Sequence, residues 1–177
     1  MNKYAKSVTV LFAICLVIAV LLAVVNFITA PIIEETKQKA IRESLQAVLP
    51  DVGEDAEFKE YKIPDDAPKT VTAIYKELSG SGYAVTLSTK SQYSKDNMLI
   101  TVGINPDMTI KAIKITNYSD SKAFANEYTE SYIGKDSSLE GIDTYAGVTY
   151  SSRAFKDAIS DAFVGLNMAI ASEKEGK

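Results

Sequence analysis

An uncharged and almost wholly apolar run near the N-terminus constrains this chain more than any other feature. The run covers residues 8–28 and reads VTVLFAICLVIAVLLAVVNFI. A helix of roughly 20 residues rises about 30 Å, which is the hydrocarbon thickness of a lipid bilayer. We therefore predict a short tail and one transmembrane helix within residues 1–33.

A cleaved signal peptide is the alternative interpretation of this run. Lys3 and Lys6 resemble its basic n-region, and Ala30 is small enough to precede a cleavage site. The run is nevertheless longer than the usual h-region, Ile28 is bulky where a small residue is required, and Pro31 would follow the scissile bond. These features favour an uncleaved anchor.

The orientation of the predicted span depends on its short N-terminal tail. Basic residues also follow the span, at Lys37, Lys39 and Arg42, so the Lys/Arg count alone does not decide the orientation. A short tail with two lysines and an α-amino group tends to stay in the cytoplasm. We expect a single-pass protein of the cell membrane, with a cytoplasmic N-terminus and an extracytoplasmic C-terminal domain.

The scarcity of histidine and cysteine excludes several classes of function. There is no histidine, and the one cysteine, Cys15, lies in the predicted span. Ser-His and Cys-His triads, histidine metal sites and cysteine-ligated iron–sulfur clusters therefore cannot be built from this chain alone. All acidic residues follow the apolar run. The part of the chain after the predicted span is therefore acidic and has no basic patch for nucleic acid. We expect no metal site and no complete active site.

A second helical pattern follows the span and predicts a stalk. Residues 34–50 form an amphipathic pattern that stops at Pro50, which indicates a helix leading out of the membrane. Its apolar face packs either against its own domain or against a partner subunit. That face contains Ala40, Ile41, Leu45, Val48 and Leu49.

Residues 51–177 are expected to form one α+β domain. Residues 51–69 are acidic and contain two prolines, so they predict a surface loop. Four strand patterns follow, over residues 71–78, 83–89, 98–104 and 109–116. The connections SGSG and NPDM are typical of hairpin turns and favour an antiparallel sheet.

Two helices are expected to flank this sheet. Residues 122–133 predict a short helix that is closed by Gly134, and a longer helix begins near Ser152 with Ser151 or Ser152 as its N-cap. The longer helix has a broad apolar face that would cover the sheet. That face contains Phe155, Ile159, Ala162, Phe163, Leu166, Ala169 and Ile170.

The segment DTYAGVTYS, immediately before the last helix, contains the candidate functional residues. It resembles the segment D-x-x-[ST]-G-A-T-x-[ST] at which flavin transferases attach FMN to protein through a phosphoester. Ala146 and Val148 depart from that pattern. Its retained residues are Asp143, Gly147, Thr149 and Ser151, and Tyr150 fills its variable position.

Each retained residue has a chemical reason to be there. The hydroxyl of Thr149 would form the ester, and a phosphate is favoured at a helix N-terminus. Gly147 lets a modifying enzyme approach the backbone closely. Asp143 would contact the transferase or its metal. The alternative is a plain capping cluster after a turn.

The whole chain is similar to the covalent-FMN protein of the Rnf electron transport complex, a family related to a covalent flavoprotein of the sodium-pumping NADH:quinone reductase. The shared features are the N-terminal span, a helix ending in LP at residues 49–50, GYAV at 82–85, VGINPDMTIKAIKI at 102–115 and the attachment motif. The chain departs from the family at NYSDSK, residues 117–122, where a Glu-Thr-Pro-Gly turn is usual. The resemblance implies an FMN-binding domain with covalent FMN on Thr149.

This resemblance also implies the function. The chain would be the electron-carrying, membrane-anchored subunit of an ion-translocating ferredoxin:NAD+ oxidoreductase complex. Its partners would be the other membrane subunits and a flavin transferase. Thr149 would be a tether, since the flavin ring performs the redox chemistry. Tyr118, Tyr145 and Tyr150 are candidates for stacking on the ring, or they have ordinary core or surface roles.

Three alternatives remain open from the sequence alone. One is a membrane-anchored flavodomain for extracellular electron transfer outside an Rnf complex. Another is the related covalent flavoprotein of the sodium-pumping reductase. The third is an adaptor without redox function, in which the stalk helix and the acidic face bind partners.

Overall fold

The N-terminal part of the chain is one long helix. The computed structural model describes residues 3–53, 55–92, 94–119, 124 and 126–175. Helix α1 (Lys3–Val48) continues through Pro31, so the span and the stalk, predicted as separate segments, are a single helix. It is long and apolar enough to cross a membrane. It ends shortly before Pro50, as expected.

The chain divides into two compact units within this helix, Met1–Arg42 and Glu43–Lys177. The first unit contains the apolar run, whose large hydrophobic side chains are exposed. The second unit contains the end of α1 and everything that follows it. All further structural description concerns this second unit.

A five-stranded antiparallel sheet forms the centre of the second unit. The strands pair in sequence order, and all four pairings are antiparallel. This confirms the predicted sheet, and the four predicted strands are present with bounds shifted by at most one residue. The strands are β1 (Phe58–Tyr61), β2 (Val71–Glu77), β3 (Tyr83–Thr89), β4 (Met98–Ile104) and β5 (Ile110–Asn117).

Strand β1 lies inside the segment that was predicted to be a loop, and that prediction is wrong for these four residues. The sequence FKEY is too short and too polar to show a clear alternation, and its two middle residues are exposed. Its pairing with β2 at the edge of the sheet makes it a strand. Such a pairing joins distant residues and leaves little trace in the local sequence.

The main core lies between one face of the sheet and helix α3 (Thr149–Glu175). The helix begins at Thr149, three residues before the predicted start, so Ser151 and Ser152 lie within its first turns and are not its N-cap. The predicted apolar face is confirmed: Ile170 is partly buried, and the other six residues are buried. The close packing of α3 is visible at Gly165, where an added Cβ would lie 2.8 Å from a methyl group of Val71.

The opposite face of the sheet is covered by the end of α1. Val48 and Leu49 are fully buried and Leu45 nearly so. Gly103 of β4 makes the close approach possible, because a Cβ there would lie 2.1 Å from the carbonyl oxygen of Val48. The end of the stalk, from Glu43 onward, thus packs against its own domain.

A short helix, α2 (Asn126–Glu130), follows the sheet. It is shorter than the predicted helix over residues 122–133, whose residues 122, 123 and 125 lie outside the described part of the chain. Gly134 closes this region as predicted, with a positive φ of 77°. Its N–H donates to the carbonyl of Ile110 at 2.7 Å, so the segment after α2 is joined to the start of β5.

Candidate functional site

A tight turn precedes helix α3 and places the candidate residues on the surface. The N–H of Val148 donates to the carbonyl of Tyr145 at 3.2 Å and closes the turn. Gly147 occupies its third position with a φ of 84°, a conformation that L side chains rarely adopt. The turn therefore requires glycine for its own backbone shape, in addition to the close approach expected from the sequence.

Thr149 is the first residue of α3, and it is exposed. The first i+4 hydrogen bond of the helix starts at the preceding residue, since the N–H of Ser152 donates to the carbonyl of Val148 at 2.9 Å. The first turn of an α-helix directs backbone N–H groups and the positive end of the helix dipole outward. An anion attached to the Thr149 hydroxyl would lie at this end of a 27-residue helix.

The other residues of the motif divide between the surface and the interior. Asp143 is exposed, and its Oδ1 accepts the N–H of Thr144 at 2.7 Å. Tyr150 is half exposed, at 51%. Ser151 is buried, and its hydroxyl donates to the hydroxyl of Ser91 at 3.2 Å. The structure therefore brings Asp143, Gly147 and Thr149 together on one exposed loop and turns Ser151 inward.

Two residues of α3 that sequence reasoning missed hold this loop against the helix. The Ser152 hydroxyl accepts the N–H of Tyr145 at 2.9 Å and donates to the carbonyl of Thr149 at 3.1 Å. The Lys156 ammonium donates to the carbonyl of Ile142 at 2.6 Å. Both residues follow the motif in sequence. Their spacing of four residues, which places them on the same face of a helix, was the only signal in the sequence that they act together.

A cluster of aromatic rings lies behind the loop and reaches β5. Tyr145 contacts Tyr128 of α2, with ring centroids 5.2 Å apart. Phe124 lies 5.5 Å from Tyr128 and 5.0 Å from Tyr118. It also lies 5.2 Å from Phe155 of α3. Of the three tyrosines proposed to stack on a flavin, Tyr118 and Tyr145 thus belong to this cluster.

The two tyrosines deepest in the cluster are neutral groups. The hydroxyls of Tyr128 and Tyr132 are 2.9 Å apart and share a hydrogen bond. Burial is the largest cause that raises the pKa of both phenols above the usual range. Both rings therefore remain protonated at physiological pH and contribute packing without charge.

A cleft of about 360 Å³ opens beside this cluster, between β5 and α2. Its apolar walls include Ile113, Ile115, Tyr118 and Phe124, and its polar lining comes from Lys114, Asn126 and Thr129. Aromatic and aliphatic walls with a few polar groups suit a planar ring that has hydrogen-bonding edges. These residues fit the isoalloxazine of FMN in chemical character.

A second opening, of about 560 Å³, lies near residues 51–53, 55–57 and 77–79. Carboxylates dominate its lining, with Asp51, Asp55, Glu57 and Glu77. An anionic phosphate is disfavoured there because like charges repel. Among the described residues, no group of three or more His, Cys, Asp or Glu is arranged to hold a metal ion.

Two family models match this chain. A family model for the FMN-binding domain matches residues 94–164, which run from before β4 into α3 and include the turn and Thr149. A second model, for the RnfG N-terminal region, matches residues 1–48, essentially the length of α1. A search of curated proteins found no match.

Proposed function

We propose that this chain, an FMN-carrying subunit of the RnfG type, holds its FMN covalently through a phosphoester on Thr149. Its membership of that type makes it one subunit of an Rnf complex, and the apolar part of α1 is long enough to serve as its membrane anchor. The observation that carries the proposal is the exposed position of Thr149 as the first residue of α3, inside the region matched by the FMN-binding domain.

The local backbone supports a phosphate on Thr149. The N-terminal turn of α3 offers partial positive charge, which stabilises a nearby anion by roughly 0.3 to 1 kcal/mol at an exposed position. Gly147 and Ala146 are exposed, so little side-chain bulk stands between solvent and the hydroxyl. A transferase can therefore reach the oxygen without unfolding the helix.

Formation of the ester requires an activated flavin. A phosphate monoester and an alcohol do not condense spontaneously in water, so we infer a donor with a pyrophosphate, namely FAD. The Thr149 oxygen attacks the flavin-side phosphorus, a new P–O bond forms, and the bond to the bridging oxygen breaks. AMP leaves with that oxygen, and the hydroxyl proton passes to a base of the transferase. No electrons are transferred in this step.

The cleft beside the aromatic cluster is our candidate seat for the flavin ring. Ile113, Ile115, Tyr118 and Phe124 would cover its faces, and the polar lining of the cleft would meet its edges. When bound, FMN supplies the electron transfer that this chain cannot perform with its own side chains. The residues of the chain bind the ring, orient it and limit its contact with water.

The complex to which this protein belongs would transfer electrons from reduced ferredoxin to NAD+ and couple that transfer to ion movement. In our proposal, residues 1–33 provide the tail and span, 34–50 the stalk, and 51–177 an extracytoplasmic FMN-binding domain. Covalent attachment suits that location, because dissociated FMN could not be recovered there from the cytoplasmic pool.

In-gel flavin fluorescence of denatured full-length chain tests the attachment. The chain is expressed with a flavin transferase, as wild type, Thr149→Ala and Thr144→Ala. Thr144 is the matched control, because it is a threonine of the same loop. We expect fluorescence in the wild type and in Thr144→Ala and none in Thr149→Ala. Fluorescence that survives in Thr149→Ala would refute the proposal.

A further inference from the structure

Two side chains of α3 form hydrogen bonds to the backbone of the segment that contains Asp143, Gly147 and Thr149. We call residues 142–149 the attachment loop. Ser152 bonds to the loop at Tyr145 and at Thr149, at 2.9 and 3.1 Å. Lys156, one helical turn further on, bonds to the carbonyl of Ile142 at 2.6 Å. The start and the end of the loop are therefore both fixed to the same stretch of helix.

We propose that Ser152 and Lys156 are positioning residues for flavin attachment. They hold the attachment loop in the conformation in which a transferase accepts Thr149. This inference rests on the proposed function, because it concerns the same threonine. It assigns a role to Lys156, which lies outside the motif that predicted the site.

The loop needs such an anchor because much of it is exposed. Asp143, Ala146, Gly147 and Thr149 are exposed, and Tyr145 is only partly buried. Segments with few buried contacts open at low free energy and sample many conformations. The hydrogen bond from Lys156 is charge-assisted, and such bonds are stronger than bonds between neutral groups. It restrains the part of the loop that is farthest in sequence from the helix.

The polar atoms of these two residues contact protein groups. The Ser152 hydroxyl is fully buried and is used once as an acceptor and once as a donor. Lys156 is partly buried, and its ammonium contacts a backbone carbonyl. Both residues therefore act through the loop backbone.

A positioning role predicts a specific kinetic signature. If only a fraction of molecules holds the loop in the accepted shape, the apparent affinity of the transferase falls by that fraction. The KM for the chain should then rise while kcat at saturating chain stays unchanged. If the hydrogen bond from Lys156 decides the loop conformation, its loss corresponds to a rise in KM of about tenfold.

The test uses purified full-length apo chain in detergent, a flavin transferase and FAD, with the rate of labelling measured against chain concentration. Lys156→Met should raise KM about tenfold while the near-ultraviolet circular dichroism shows that the chain is still folded, and Lys156→Arg should restore most of the loss. Arg153→Met is the matched control, because it removes one exposed positive charge from the same part of α3. Its KM should equal that of the wild type.

Hydrogen exchange of the unlabelled chain provides a readout that needs no flavin. Amides of the attachment loop should exchange faster in Lys156→Met and in Ser152→Ala than in the wild type, and amides of β3 and β4 should be unchanged. Ser152 is buried, so Lys156→Met decides the outcome if Ser152→Ala fails to fold.

Three results would overturn the inference. The first is a wild-type KM in Lys156→Met, and the second is an equal loss in Arg153→Met, which would indicate a general charge effect. The third is a raised KM with unchanged exchange in the loop, which would indicate direct contact between Lys156 and the transferase. Wild-type chain that is labelled at a residue other than Thr149 would instead refute the proposed function.

Discussion

Replacement of Phe163 by alanine should strongly destabilise the domain, whereas replacement of Thr149 by alanine should remove the flavin with little loss of stability. Phe163 is 1% exposed and belongs to the core between α3 and the sheet. Truncation of a buried phenylalanine removes its transfer free energy and leaves a cavity, and together these typically destabilise by about 3 to 5 kcal/mol. That loss approaches the whole stability of a small domain, about 5 kcal/mol at the lower end.

The matched control for this change is the adjacent residue of the same helix. Val164 is 46% exposed, so Val164→Ala should change the free energy of unfolding by no more than about 0.5 kcal/mol. Thr149→Ala should reduce it by about 1 kcal/mol or less, which is the scale of a lost surface or helix-end interaction.

Urea unfolding of the full-length chain in detergent, followed by near-ultraviolet circular dichroism of the tyrosines, measures these differences. We expect Phe163→Ala to lose folded structure and flavin labelling together, and Thr149→Ala to lose labelling alone. Unfolding of Phe163→Ala at the same urea concentration as Val164→Ala would contradict this prediction. An unfolded Thr149→Ala chain would show that the attachment point is part of the core.

Three further predictions follow from individual residues. Gly147→Ala should destabilise by about 1 to 2 kcal/mol, because its φ of 84° is strained for alanine, and should slow flavin labelling; a wild-type melting temperature would contradict this. Burial raises the pKa of the Glu77 carboxyl, but hydrogen bonds from residues 79–81 outweigh burial and lower it. The ionised carboxylate therefore stabilises the fold at pH values above the ordinary glutamate pKa. This stabilisation is lost as the pH falls through the lowered pKa of Glu77. The difference in unfolding midpoint between wild type and Glu77→Gln should therefore shrink below about pH 4, and a pH-independent difference would count against it. Asp66→Cys in a Cys15→Ala background should react with an impermeant thiol reagent on intact cells, whereas labelling only after lysis would reverse the proposed orientation.

The sequence predicted the elements whose signals are local. Four strands were visible because β-branched residues alternate and short turns separate them, and the apolar face of α3 was visible from its periodicity. Strand β1 was missed because its pairing partner, rather than its own residues, makes it a strand. The start of α3 was placed too late, because serines are favoured N-caps and Thr149 is a weaker helix former.

The candidate site was only partly accessible to sequence reasoning. The motif made Thr149 the candidate attachment residue, because a hydroxyl, a glycine and an acid at fixed spacing have chemical roles, and this remains a prediction. The bonds from Ser152 and Lys156 to the loop depend on how the chain folds back on α3. The cleft near Tyr118 and Phe124 depends on the packing of β5, α2 and α3, so no single segment contains a signal for it.

The most direct test of the central claim is the intact mass of the full-length chain expressed with and without a flavin transferase. With the transferase, the mass should increase by one FMN less one water, and peptide mapping should place the increase on Thr149. Thr149→Ala should keep the unmodified mass under both conditions. A mass increase that persists in Thr149→Ala, or flavin that is released from the wild-type chain on denaturation, would contradict covalent attachment at this residue.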